Sequence, residues 1–218
     1  MPLADDRAVR DTVHIHAETL SRESFHIPAS STRARVIGVV EDQIVTEQRI
    51  AEVPSQNGSA MVDLERDILK IAVIERHRGT GNIGLGFIQG MGLQAGALAG
   101  SVAHDHHNIV VVGADDQSML TAVLAVAEMG GGLVAANGER VIARLALPIA
   151  GLMSEQPIDG VRDELDQLII SAAALGSQLR DPFMAMSFVA LEVIPALKLT
   201  DQGLVDVEQF RPVPLFVE

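Results

Sequence analysis

The side chains best suited to chemistry lie in five consecutive residues, His104-Asp105-His106-His107-Asn108. This stretch holds three of the seven histidines of the sequence, together with a carboxylate and an amide. Imidazoles and carboxylates this close together can bind a divalent metal, relay protons or hold a polar substrate. They can equally cap a strand end by satisfying the amides of a turn. The sequence leaves both interpretations open.

Other candidates converge on this stretch. In an extended chain the side chains at positions 104 and 106 face one way, and those at 105 and 107 face the other. A buried strand candidate ends just before position 77, so a neighbouring strand could bring that histidine beside position 104. The possible metal ligands are therefore His77, His104, His106 and His107. The candidates for substrate contact or a proton shuttle are His104, Asp105, His107 and Asn108.

Composition narrows the class of protein. The 218 residues are 48% hydrophobic, which is enough to bury a substantial core. A net charge of −13 and an aromatic content of 3% argue against nucleic acid as a partner. The sequence has no cysteine and no apolar stretch that could span a bilayer. We therefore expect a cytoplasmic protein that does not bind membranes.

Strand patterns dominate the first two thirds of the sequence. Two β-branched runs at 35–40 and 44–50 predict a hairpin, and 67–75 predicts a buried strand. Frequent glycines between Ile83 and Ala103 predict closely packed, bent strands or loops, followed by a strand at 109–113. Residues 1–34 are polar and predict an irregular lead-in. We place the main domain at residues 35–218.

Two segments carry helix signals. Asp115 and Asp116 supply an N-cap for a helix to about Met129, ended by three glycines. Pro157 opens a second helix, whose apolar stripe is Ile158, Val161, Leu165, Leu168, Ala172 and Leu175. Between the helices, Asn137-Gly138 predicts a hairpin with a type I′ turn.

The proline-containing tail, 181–218, predicts short surface turns. Together the patterns predict an α+β domain with a mixed, largely antiparallel sheet, hairpins and two main helices packed on it.

Two familiar motifs do not fit their usual contexts. Residues 79–84 match the glycine pattern G-x-G-x-x-G, but the glycine-rich residues that follow cannot sustain the helix that a dinucleotide site requires. The pair His14 and His16 matches the first metal ligands of amidohydrolases, but it lies in the polar lead-in and predicts a surface pair. A chain of this length without eight β-α units cannot build the barrel that such a site needs.

Several stretches, in order and spacing, resemble the carboxy-terminal domain of bacterial adenine deaminases, which belong to the amidohydrolase superfamily. The resemblance covers roughly residues 35 to 210. The matching stretches are Glu75-Arg76-His77, Gly79-Thr80-Gly81, Gly96-Ala97, Val102-Ala103-His104-Asp105, His107-Asn108-Ile109, Gly130-Gly131-Gly132, Leu147 to Ser154, Asp181 to Met184, Leu197 to Asp201 and Gly203 to Asp206. The family usually has serine at the positions of Gly100 and His106.

The resemblance implies an enzyme that hydrolyses adenine to hypoxanthine and ammonia at a divalent metal centre, manganese or iron, whose ligands and general base belong to a barrel. None of those barrel residues has a counterpart in this sequence. We therefore expect an accessory domain that is inactive alone and works with a barrel in cis or in trans, as part of a homo-oligomer. The alternatives are a stand-alone metal- or purine-binding module centred on residues 104–108, or a purely structural or oligomerisation domain.

Overall fold

The computed structural model describes residues 9–218. Within that range a nine-stranded sheet is built from β1 Arg33–Val39, β2 Thr46–Glu52, β5 Ile68–Ile74, β6 Ile83–Gln89, β7 Ala97–Gly100, β8 Ile109–Gly113, β9 Gly132–Asn137, β10 Arg140–Ala146 and β14 Phe216–Val217. Its strands run in the order β10-β9-β7-β8-β5-β6-β1-β14, and β2 pairs with β1 along the whole length of both strands. Neighbouring strands are antiparallel except for β1 and β6. The prediction of a mixed, largely antiparallel α+β fold is confirmed.

The central strand β5 explains why the core lies on both faces of the sheet. All seven of its residues are buried, between β6 and β8. Its alternate side chains enter different clusters: Ile71 and Val73 face one side, and Ala72 and Ile74 face the other. A strand covered on both faces reads as a continuous apolar run, which is the pattern that predicted it.

The two long helices cover opposite faces of the sheet. Helix α1, Asp116–Glu128, packs its buried Met119, Val123 and Val126 with Ala72 on one face. Helix α2, Ile158–Ala174, places Leu168 and Ala172 in the cluster on the other face. Both helices are confirmed, including the N-cap of α1, where the Asp115 carboxylate accepts from Ser118 N at 2.8 Å. Ile158 departs from the predicted stripe of α2, because it is 77% exposed.

The predicted type I′ turn over Asn137 and Gly138 is wrong, although the hairpin between β9 and β10 is confirmed. Asn137 is the last residue of β9 and pairs with Arg140, so the loop is Gly138 and Glu139. Only Gly138 has a positive φ, of 58°. Both main-chain groups of Gly138 bond to side chains of α1: its N–H donates to Ser118 Oγ at 2.8 Å, and its carbonyl accepts from Thr121 Oγ1 at 2.7 Å. These contacts with the helix hold the turn one residue further along than the sequence suggested.

The prediction that the tail forms only short surface turns is also wrong. It contains helix α3, Pro182–Phe188, and a three-stranded sheet of β11 Leu197–Thr200, β12 Gly203–Asp206 and β13 Arg211–Pro212. Leu197 and Leu199 are fully buried against the main sheet. Prolines interrupt the pattern without preventing these short elements from joining the core.

The part of the lead-in that the structure describes, residues 9–32, packs against the sheet. It contains a 3-10 helix, Arg22–Phe25, and Phe25 is completely buried in the cluster beneath α1. A separate small hairpin pairs β3 Ser55–Gln56 with β4 Ser59–Ala60, with positive φ at Asn57 and Gly58 as their Asn-Gly pair predicts. The division of the chain at residue 34 remains a prediction. No helix in residues 9–218 is long and apolar enough to cross a membrane.

Candidate histidine loop

The candidate residues form a loop, 103–108, which we call the histidine loop, between β7 and β8. Helix α3 and the residues after it hold one side of this loop. The His104 amide donates to the carbonyl of Ser187 at 3.1 Å, and the His106 ring contacts the carbonyl of Ala190 at 2.9 Å. The carbonyls at the carboxyl end of a helix have no intrahelical partner, so the loop supplies donors that this end requires.

His106 uses both ring nitrogens inside the protein. Its Nε2 lies 2.9 Å from the carbonyl of Ala190, and its Nδ1 accepts from the Asn108 amide at 2.9 Å. This pattern requires a neutral ring with its proton on Nε2. Burial lowers the pKa of His106, which favours the same neutral form. The imidazole therefore serves as a structural tie and keeps no nitrogen free to bind a metal.

The other two imidazoles of the loop remain more available. The His104 and His107 rings lie 6.1 Å apart, and His104 packs on the ring of Phe188 at 4.7 Å. Burial and the nearby Arg76 charge lower the pKa of His107. Its Nδ1 is buried and has no hydrogen-bond partner among the described residues. Asp105 is exposed at the tip of the loop.

His77, which follows strand β5, and Asn108, the last residue of the loop, link the loop to its neighbours. His77 Nε2 lies 2.6 Å from the carbonyl of His106, and His77 is otherwise exposed. Asn108 is buried and bonds to Arg76 N at 3.3 Å and to Asp201 at 3.3 Å. The structure thus brings His77, His104, His106 and His107 into one region. Within residues 9–218, however, no group of three or more His, Cys, Asp or Glu side chains is arranged to hold a metal ion.

Beside the histidine loop, a carboxylate organises the turn that contains the glycine motif. Glu75 Oε1 accepts from the amides of His77 at 2.6 Å and Arg78 at 2.9 Å. Its Oε2 accepts from the Thr80 amide at 2.9 Å and from the Thr80 hydroxyl at 3.1 Å. Burial alone would raise the pKa of Glu75, but these four hydrogen bonds outweigh it and lower the pKa to about 2.

Because of Glu75, we expect the free energy of unfolding to fall at acid pH. Because the folded-state pKa of Glu75 lies below its usual 4.5, its stabilisation is complete above that value and is lost as the pH falls toward about 2. The shift corresponds to about 3 kcal/mol. We expect Glu75→Gln to lower the free energy of unfolding at pH 7 and to flatten its decline between pH 5 and pH 3, measured by urea titration. The exposed Glu139→Gln should match the wild type at every pH, and a Glu75→Gln profile parallel to wild type would contradict this assignment.

The glycine motif and the His-x-His pair take the structural roles that the sequence favoured. Residues 79–84 lead directly into strand β6, so the motif opens a strand and not a helix. His14 and His16 are exposed, and His16 Nε2 lies 2.7 Å from the carbonyl of Gly79. The pair lies on the surface beside the motif.

Two buried cations near the loop were missed as site residues by the sequence reasoning. Arg76 is 1% exposed and bonds to carbonyls from three separate segments. Lys198 is fully buried and donates to the carbonyls of Ile44 at 3.2 Å and Phe188 at 2.9 Å. Burial lowers the pKa of Lys198 to about 8. In the sequence, each is a charged residue within or next to an apolar run, and each lies in a stretch that resembles the family, but neither signal identifies the partners.

The chain belongs to the adenine deaminase C-terminal domain family, whose model matches residues 43–211. It is 58% identical over 192 residues to the adenine deaminase of Desulfatibacillum aliphaticivorans, covering 88% of this chain and 34% of that protein. It is 53% identical over 199 residues to the adenine deaminase of Methanothrix thermoacetophila, covering 91% and 35%. Adenine deaminase 2 of Carboxydothermus hydrogenoformans is 48% identical over 212 residues, covering 97% and 37%. The chain thus spans about a third of the length of these relatives.

These matches confirm the resemblance seen in the sequence. They describe a domain of a longer enzyme and do not favour a stand-alone metal- or purine-binding module. The histidine loop lies inside the matched range, so it is part of that domain.

Proposed function

We propose that this chain is the accessory domain of an adenine deaminase and that a metal-dependent barrel, in cis or in trans, carries out the hydrolysis of adenine to hypoxanthine and ammonia. One observation carries the proposal: the chain matches a domain described as carboxy-terminal and spans only 34% to 37% of relatives named adenine deaminase. The assignment of the hydrolysis to the barrel follows from the chemistry of the reaction. Hydrolytic deamination needs an activated water and a proton shuttle aimed at one purine carbon.

The geometry of the histidine loop supports the accessory role. His106 and Asn108 are occupied by bonds within the domain. His104, Asp105 and His107 are the side chains that the loop can offer to a substrate or to a neighbouring domain. We propose that they act from the domain surface as polar contacts or as a proton shuttle, while the barrel supplies the ligands of a manganese or iron ion. We further propose that the complete enzyme is a cytoplasmic homo-oligomer.

An activity assay tests the division of labour. We expect the purified chain, supplied with Mn²⁺ or Fe²⁺, to release no hypoxanthine or ammonia from adenine. The full-length Desulfatibacillum enzyme, assayed under the same conditions, is the positive control. Conversion of adenine by the chain alone, abolished by a chelator, would overturn the proposal because it would place the catalytic centre in this domain.

A further inference from the structure

The buried guanidinium of Arg76 joins three segments that are distant in sequence. Its Nη1 donates to the carbonyl of Thr12 at 2.9 Å, its Nη2 to the carbonyl of Ala150 at 3.0 Å, and its Nε to the carbonyl of His107. The main chain of Arg76 contacts two of the same regions: its carbonyl accepts from His14 N at 2.7 Å, and its amide donates to Asn108 at 3.3 Å.

A guanidinium is suited to fix positions and not merely to supply charge. It is a rigid planar fork with five N–H donors, whereas a lysine ammonium is a point charge on a flexible stem. Among the described residues, Arg76 has hydrogen bonds to oxygens of carbonyl and hydroxyl groups and no ion pair. Burying a charge with neutral hydrogen-bond partners is costly, and burial lowers the pKa of Arg76, while the charge of Glu75 acts in the opposite direction. The guanidinium therefore holds three carbonyls through donors whose relative positions are fixed.

The hydrogen bond from Arg76 to the His107 carbonyl links Arg76 to the imidazoles of His104 and His107. His107 has a φ of 50°, and its amide donates to the carbonyl of Ala103 at 2.6 Å, so its carbonyl has little freedom to turn away from Arg76. The His107 ring lies 6.1 Å from the His104 ring, which packs on Phe188. The position of one carbonyl therefore influences the orientation of both rings.

The contact with Thr12 reaches the N-terminal segment. Residues 9–16, which we call the connector, cross Arg76, and the Val9 carbonyl accepts from the Ala150 amide at 2.5 Å. In a relative whose C-terminal third resembles this chain, the preceding domain would join at this connector. We propose that Arg76 is a positioning residue that couples the connector to the histidine loop, so that the preceding domain sets the position of His104 and His107. The role of the preceding domain rests on the proposed function, whereas the coupling itself is a property of this chain.

Coupling is reciprocal, so disturbing either segment must disturb the other. The test compares amide hydrogen exchange in the full chain, a truncation that removes residues 1–13, Arg76→Lys, and the two changes combined. We expect the truncation to speed exchange of the His107 and Asn108 amides by about tenfold or more, because a charge-assisted hydrogen bond is lost at Arg76. Arg76→Lys should speed exchange in both the connector and the loop. In the combined variant the truncation should add little, since coupled changes are not additive.

Lys70→Met is the matched control, because Lys70 is another buried cation, and its hydrogen bonds to the Phe25 carbonyl and to Asp116 involve neither Arg76 nor the histidine loop. It should loosen the residues around Phe25 and the start of α1 without speeding exchange of the His107 and Asn108 amides. The His104 and His107 ring signals in nuclear magnetic resonance provide a second readout, and they should shift on truncation. Two results would overturn the coupling. One is that, after truncation, the loop amides exchange within about twofold of their rate in the full chain, and the other is that the two changes have additive effects in the combined variant. Neither result depends on deaminase activity, so this proposal can fail while the proposed function stands.

Discussion

We expect Gly84→Ala to lower the free energy of unfolding by about 3 kcal/mol, as overpacking at a rigid contact does. A methyl group on Gly84 would lie 1.9 Å from the carbonyl oxygen of Thr200 and 3.0 Å from its carbonyl carbon. Both obstacles are backbone atoms at the turn between β11 and β12, so no side chain can rotate away. The hairpin of the tail must move off β6, and the core that it covers must open with it.

Gly86→Ala is the control for this prediction, because Gly86 lies on the same face of the same strand. Its added methyl group would meet Ile71, Leu199 and Leu204 side chains at 3.6 Å, which is ordinary contact. Alanine also costs less backbone entropy than glycine in a strand, so we expect stability equal to wild type or higher by up to about 1 kcal/mol. Urea unfolding of the three proteins measures the difference. Equal stability of the two variants would contradict the close packing of the tail on β6.

The second large effect concerns the ion pair between buried Lys70 and partly exposed Asp116. Lys70 is 3% exposed, and its Nζ donates to the two carboxylate oxygens of Asp116 at 2.7 and 2.9 Å and to the Phe25 carbonyl at 3.0 Å. We expect Asp116→Leu to cost about 3–5 kcal/mol, because it leaves a buried ammonium without its counter-charge. Thermal or urea unfolding at pH 7 measures this loss.

The relative stabilities of the variants show whether the loss comes from an unpaired buried charge or from a lost contact. Lys70→Met should cost less than Asp116→Leu, since the Asp116 side chain is 33% exposed and can be hydrated by water. The double variant, Lys70→Met with Asp116→Leu, should recover much of the stability that Asp116→Leu loses, because no buried charge remains. A double variant less stable than either single variant would show that the ion pair contributes net stabilisation instead.

Much of the fold could be predicted from the sequence because its signals are local. Six of the seven residues of β5 are apolar, the exception being Lys70, and such a run is typical of a strand covered on both faces. The Asp115 cap and the glycines after Met129 mark both ends of α1. The tail could not be predicted in the same way. Its strands are four residues or fewer, and their stability comes from contact with β6 and not from a period in the sequence.

The site shows the same division between local and long-range information. Residues 104–108 stand out in the sequence, since histidines so closely spaced are visible without a structure. It could not show that His106 bonds to Ala190, 84 positions away, or that Arg76 bonds to Thr12, 64 positions away. Partners at such separations follow from the order of strands in the sheet. The role of a polar side chain, as a free group or a structural tie, depends on those partners.

A domain exchange shows whether this chain can serve as the accessory domain of an adenine deaminase. The C-terminal third of the Desulfatibacillum adenine deaminase, to which this chain is 58% identical over 192 residues, would be removed or replaced by this chain. We expect removal to abolish or severely lower kcat/KM for adenine, and the replacement to restore it. A truncated enzyme as active as the full-length protein, or a folded chimera that does not deaminate adenine, would contradict it.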